Sequence, residues 1–112
     1  MLENFFKATQ FDPSGISGQL GMLAIAAGQR EDYADAQRLL EEATKALEDE
    51  KAQLTERWGG AAMYRLIAGY SLLENDQVKQ AGFDEIEQIA NTLSPERRQE
   101  VNNAIIRARA GV

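Results

Sequence analysis

The chain has 112 residues, 18 of them acidic and 12 basic, which gives a net charge of −6. This length suits a single domain, and an apolar fraction of 44% is typical of a folded globular protein rather than a disordered one. The sequence contains no Cys and no His, which excludes disulfides, thiolate metal sites, cysteine nucleophiles and histidine general bases.

Residues 1–15 are predicted to form an N-terminal arm ahead of the domain. The arm contains Phe5, Phe6 and Phe11. It ends in Asp12-Pro13-Ser14-Gly15, a sequence typical of a turn. A helix ahead of this turn would be too short to be stable alone, so we expect the arm to become ordered only when its phenylalanines contact another surface.

The first predicted helix covers residues 16–28. Its apolar positions recur at steps of three and four and predict one buried face, formed by Ile16, Leu20, Leu23, Ala24 and Ala27. Gly18 and Gly21 weaken a helix, and we expect them where another backbone approaches closely. Gly28 is predicted to end the helix, since glycine adopts the left-handed conformation without strain.

A longer helix is predicted from residue 31 to residue 58. Apolar side chains recur along one stripe, no Pro or Gly interrupts it, and good helix formers dominate. At 1.5 Å per residue such a helix would be about 40 Å long. Gly59-Gly60 is expected to stop it.

Three further segments complete the predicted domain. Residues 61–74 are apolar nearly all round and are expected in the centre of a bundle. Residues 83–93 form an amphipathic helix, and Ser94-Pro95 marks the start of the last helix, which ends at Gly111. We expect Tyr64, Tyr70 and Phe83 in the core. The sequence thus predicts one all-α domain over residues 16–112. Its architecture is expected to be a small antiparallel helical bundle or a set of stacked helical hairpins, with about four main helices and a short N-terminal element.

No residue pattern indicates catalysis or ligand binding. The acidic side chains alternate with Lys and Arg on predicted solvent-facing helix surfaces. The glycines of residues 15–21 follow no strand and therefore do not form a dinucleotide loop. We expect no catalytic residue, no cofactor and no metal ion, and hence no enzyme.

Two segments resemble known helical families. Residues 20–47, with Tyr33, Ala36 and Leu40 at tetratricopeptide spacing, resemble one unit of that repeat, although no second unit follows clearly. Residues 83–101 resemble a helix-turn-helix, which implies a transcriptional regulator with Arg97 and Arg98 at the start of its second helix. The acidic excess of residues 31–56 opposes nucleic-acid binding, and we expect no nucleic-acid partner.

The favoured hypothesis is a non-enzymatic interaction module, such as a helical adaptor, a small chaperone or an assembly factor, that binds through an acidic helical face and the aromatic N-terminal arm. Its partner would be another protein or a second copy of the chain. Six residues are predicted to contact it: Phe5, Phe6, Phe11, Trp58, Arg97 and Arg98. The alternatives are a structural subunit of a homo-oligomer, of the virion or secretion type, and the helix-turn-helix regulator. With neither a spanning segment nor a signal peptide in the sequence, we expect a cytoplasmic protein.

Overall fold

A computed structural model describes the backbone of residues 15–50 and 56–111 and the side chains of residues 15–49 and 61–111. Five helices and no strands form this part of the chain, which confirms the all-α prediction. The helices are α1 (Gly15–Gln29), α2 (Tyr33–Glu50), α3 (Glu56–Ser71), α4 (Asp76–Ala90) and α5 (Pro95–Arg109). Of the arm predicted for residues 1–15, residues 1–14 lie outside the described residues, and Gly15 belongs to α1 rather than to the arm.

Helix α3 is the central element of the fold. It packs against each of the other four helices and thereby joins the α1–α2 pair to the α4–α5 pair. Its buried side chains are Ala62, Met63, Leu66, Ile67 and Tyr70. A helix in this position needs apolar residues on most of its sides, as residues 61–74 were predicted to provide.

The single long helix predicted for residues 31–58 is wrong. Helix α2 ends at Glu50, α3 begins at Glu56, and Gly59-Gly60 lies within α3 rather than after a helix. Each glycine costs a helix about 1 kcal/mol relative to alanine, but burial of the apolar residues that follow contributes more. Tertiary packing therefore outweighs local propensity at this pair.

The starts of α4 and α5 are set by local capping. The Asn75 side chain accepts a hydrogen bond from the Val78 amide, and the Ser94 hydroxyl accepts one from the Arg97 amide. Pro95 occupies the first helical position, where its missing N–H leaves no bond unmade. The predicted restart at Ser94-Pro95 is confirmed.

The connection between α1 and α2 reverses the chain in a Schellman motif. The Asp32 amide donates to the Ala27 carbonyl at 2.9 Å, and the Glu31 amide donates to the Gly28 carbonyl at 3.0 Å. Glu31 takes the left-handed conformation, with φ of 63°. The prediction that Gly28 fills this role is wrong, because Gly28 is buried within α1 and its Cα faces Leu72.

Replacing Glu31 with glycine should stabilise the protein. A side chain in the left-handed region costs about 1–2 kcal/mol, and the greater freedom of glycine in the unfolded chain offsets about 0.4–1 kcal/mol of the gain. We expect Glu31→Gly to raise the free energy of unfolding by roughly 0.5–1 kcal/mol in urea titrations. Glu31→Ala removes the same charge but keeps the Cβ, so an equal gain in that control would contradict backbone strain as the cause.

Candidate protein-interaction surface

Helix α1 has the reverse of the usual amphipathic arrangement. The side facing the protein consists of small residues: Ser17, Gly18, Gly21, Ala24, Ala27 and Gly28. Three of the large apolar side chains point outward instead, with Ile16, Met22 and Leu23 exposed by 62%, 52% and 57%, whereas Leu20 packs against the core. The prediction that Ile16 and Leu23 lie on the buried face is therefore wrong, although Ala24 and Ala27 are buried as expected.

Close packing of α1 on α3 explains this reversal. A Cβ added at Gly21 would lie 3.0 Å from Cδ1 of Leu66 and 3.2 Å from Cβ of Arg65. A Cβ added at Gly28 would lie 3.0 Å from Cβ of Leu72. These separations confirm the close approach predicted for Gly21. Because only small residues fit where the two helices touch, three of the bulky side chains of α1 lie on its outer side.

The outer side of α1 also lacks charge. Gly15–Gln29 contains no Asp, Glu, Lys or Arg, whereas each of the other four helices contains several. We call its exposed apolar residues, Ile16, Met22 and Leu23, the α1 outer face. Scattered apolar residues are normal on protein surfaces, but an uncharged helix that exposes several large ones is typical of a binding surface.

A second surface feature is an acidic cleft of about 520 Å³ between α2 and α4. Its lining residues are Glu41, Thr44, Lys45, Glu48, Asp49, Tyr70, Glu85 and Gln88. Among the residues that the structure describes, no group of acidic side chains is arranged to hold a metal ion. The excess of carboxylates over cations in the cleft can attract cationic groups.

The hydroxyl groups in this cleft make structural hydrogen bonds. The Thr44 hydroxyl donates to the Leu40 carbonyl at 2.8 Å, and its oxygen lies 2.8 Å from the Tyr70 phenol oxygen. Burial raises the pKa of Tyr70 above its ordinary value of 10.0, the hydrogen bond shared with the Thr44 hydroxyl opposes this, and the nearby Glu85 and Glu41 carboxylates raise it further. The phenol is therefore neutral at ordinary pH and joins α2 to α3.

This shifted pKa predicts a loss of stability at high pH. The folded state holds the Tyr70 proton more tightly than the unfolded chain, so the contribution is complete below about pH 10 and is lost as the pH rises above it. We expect the difference in unfolding free energy between wild type and Tyr70→Phe to stay constant up to about pH 9 and to shrink in urea titrations between about pH 10 and pH 11.5. A difference that does not change over this range would contradict the assignment to Tyr70.

A third feature is a groove of about 420 Å³ between α3 and α5. Ile67, Ala104 and Ala108 give it an apolar surface, and Lys79 and Arg107 are its charged lining residues. Neither cation forms an ion pair within the described ranges of the chain. Tyr64, predicted in the core, instead lines this groove with 37% of its surface exposed, whereas Tyr70 and Phe83 are buried as expected.

The arginines of α5 are partly engaged within the fold. Arg97 pairs with Glu100 at 2.7 Å, and Arg109 pairs with Asp84 of α4 at 2.6 Å. The Arg109 guanidinium also lies 5.8 Å from the centre of the Phe83 ring. The contacts of Arg109 join α4 to α5. Both ion pairs reduce the basic charge available to a nucleic acid, which disfavours the hypothesis of a helix-turn-helix regulator.

The structure describes the side chains of two of the six predicted contact residues, Arg97 and Arg98. Arg97 is paired with Glu100, and Arg98 is exposed. Both lie on α5, which packs against α3 and α4. Trp58 belongs to α3, but its side chain lies outside the described residues. So do Phe5, Phe6 and Phe11.

Sequence periodicity missed the α1 outer face because it ranks positions by hydrophobicity alone. The available signal was the spacing of small residues at positions 17, 18, 21, 24 and 28, together with the absence of charge. Small residues at steps of three and four form a stripe along one side of a helix, and such a stripe permits close packing.

No protein-family model, curated protein or solved structure matches this chain. The helical hairpin formed by α1 and α2 spans the segment that resembles a tetratricopeptide unit, and membership of that family stays a prediction. None of the helices in residues 15–50 and 56–111 has the length and hydropathy required to span a bilayer.

Proposed function

We propose that the protein is a non-enzymatic protein–protein interaction module that binds its partner through the α1 outer face. The observation that carries this proposal is the reversed helix, which buries small residues and exposes Ile16, Met22 and Leu23. The predictions of an adaptor, a small chaperone and an assembly factor are all versions of this function.

The energetic basis is the burial of apolar surface. Complete burial of a Leu, Ile or Met side chain stabilises by about 1.5–3 kcal/mol, and each of these three is more than half exposed in the free protein. Covering all three would therefore contribute roughly 2–5 kcal/mol. A rigid helix that already presents them loses little further conformational entropy on binding.

The charge distribution adds selectivity. The acidic residues of α2 and of the cleft repel acidic surfaces, whereas the α1 outer face imposes no electrostatic requirement of its own. A partner must therefore offer an apolar, uncharged strip and avoid placing acidic groups over α2.

A pair of matched substitutions tests the proposal. Leu23→Glu places a charge on the α1 outer face, whereas Ile106→Glu makes a comparable change on α5, where Ile106 is 63% exposed. Both positions are at the surface, so the free energy of unfolding should change by less than about 0.5 kcal/mol. Partners captured with the wild-type chain, and copies of the chain itself, are purified and titrated against each variant.

The proposal is supported if the affinity of a purified partner falls by at least about tenfold with Leu23→Glu, a loss of about 1.4 kcal/mol or more of binding free energy. The same partner should bind Ile106→Glu as tightly as the wild type. If every purified partner, including the chain itself, binds the two variants equally, α1 is not the docking element.

A further inference from the structure

We infer that the partner of the α1 outer face is a second copy of this chain, with the two α1 helices packed antiparallel about a two-fold axis near Met22 and Leu23. This inference rests on the proposed function and names the partner of the same surface. It differs from the general proposal because it requires the interface to be self-complementary.

The first argument is electrostatic. Each copy carries a net charge of −6, so two copies repel each other over most orientations. Of the five described helices, α1 is the one without a charged residue. Contact between two α1 helices is therefore the approach that brings the fewest like charges together, and it matches one uncharged strip with another.

The ends of α1 supply the second argument. Within the helix, α1 has no acidic residue in its first turn and no basic residue in its last turn, so the side chains of these two turns do not offset its dipole. In an antiparallel pair the N-terminus of each α1 lies beside the C-terminus of the other, where the partial charges are of opposite sign. A parallel pair would place like ends together.

Residue sizes along the outer side fit the antiparallel register. With the axis between residues 22 and 23, Met22 lies opposite Leu23 of the partner subunit, and Gln19 lies opposite Ala26 of the partner subunit. The two large apolar side chains thus meet at the centre, and the long Gln19 side chain faces a small one. A small residue opposite a long one permits close helix packing.

The absence of cysteine from the sequence allows a direct test. Met22→Cys introduces one thiol close to the proposed axis, at a position 52% exposed in the free protein. Ile106→Cys introduces one on α5 at similar exposure and serves as the control. Under mild oxidation we expect rapid formation of a disulfide-linked dimer with Met22→Cys and at least about tenfold slower formation with Ile106→Cys, since bridging requires Cα atoms within roughly 7 Å.

Light scattering coupled to size exclusion supplies the second readout on the unmodified chain. We expect a mass of about 25 kDa, twice the 12.4 kDa of one chain, for wild type and Ile106→Glu, and the mass of a single chain for Leu23→Glu. Circular dichroism confirms that each variant is folded. A wild-type chain that stays monomeric at millimolar concentration, or equal cross-linking of the two cysteine variants, would overturn the inference.

The two proposals fail in different ways. If the wild type is monomeric but a different purified protein loses affinity with Leu23→Glu, the dimer is wrong and the docking function stands. If Leu23→Glu alters neither self-association nor the binding of any partner, both are wrong.

Discussion

Phe83→Ala should lower the free energy of unfolding by about 3–5 kcal/mol, the usual cost of removing a fully buried phenylalanine. Phe83 has no exposed surface and is the largest of the fully buried side chains. Its ring meets Tyr70 edge to face, with centroids 6.4 Å apart, and Arg109 lies over it. The substitution therefore removes contacts among α3, α4 and α5 together.

Urea unfolding followed by circular dichroism measures this effect. Phe83→Leu keeps most of the side-chain volume and should cost less than about 1.5 kcal/mol, so the pair separates loss of volume from loss of aromatic contacts. A cost below about 1 kcal/mol for Phe83→Ala would mean that the ring is not packed as described.

The parts of this fold that sequence predicts correctly are those controlled by neighbours along the chain. Ser94 and Pro95 start α5 because a hydroxyl and a fixed φ satisfy the first helical turn locally. Gly111 follows the last helix in the left-handed conformation, as predicted, with φ of 75°. The position of Phe83 follows from periodicity, because its helix has an ordinary apolar stripe.

The errors occur where residues distant in sequence decide the outcome. By its local propensity, the Gly59-Gly60 pair predicts the end of a helix. The pair lies inside a helix because of the way α3 packs among its four neighbours. The orientation of α1 depends on Leu66 and Leu72, more than forty residues from the glycines they contact. No short-range pattern contains that information, so the candidate site could not be found from periodicity.

The reversed packing of α1 leads to the second large expected effect, at Gly21. Gly21→Leu should lower the free energy of unfolding by about 3 kcal/mol, at the upper end of the cost of overpacking a core. The new Cβ would lie 3.0 Å from Cδ1 of Leu66 and 3.2 Å from Cβ of Arg65. Because the Arg65 Cβ is attached directly to the backbone of the central helix, the rest of the leucine side chain fits only if α1 moves away.

Graded and matched variants isolate this cause. Gly21→Ala adds only the Cβ and gains about 1 kcal/mol in helix propensity, so it should be far milder than Gly21→Leu. Gln29→Leu introduces leucine on the same helix at an exposed position and should change stability by less than about 0.5 kcal/mol. If Gly21→Leu were as stable as Gln29→Leu, the close approach of α1 to α3 would be wrong, and with it the reason why Ile16, Met22 and Leu23 face outward. If the approach is correct, displacement of α1 should weaken docking through its outer face as well, which links the packing of one glycine to the proposed function.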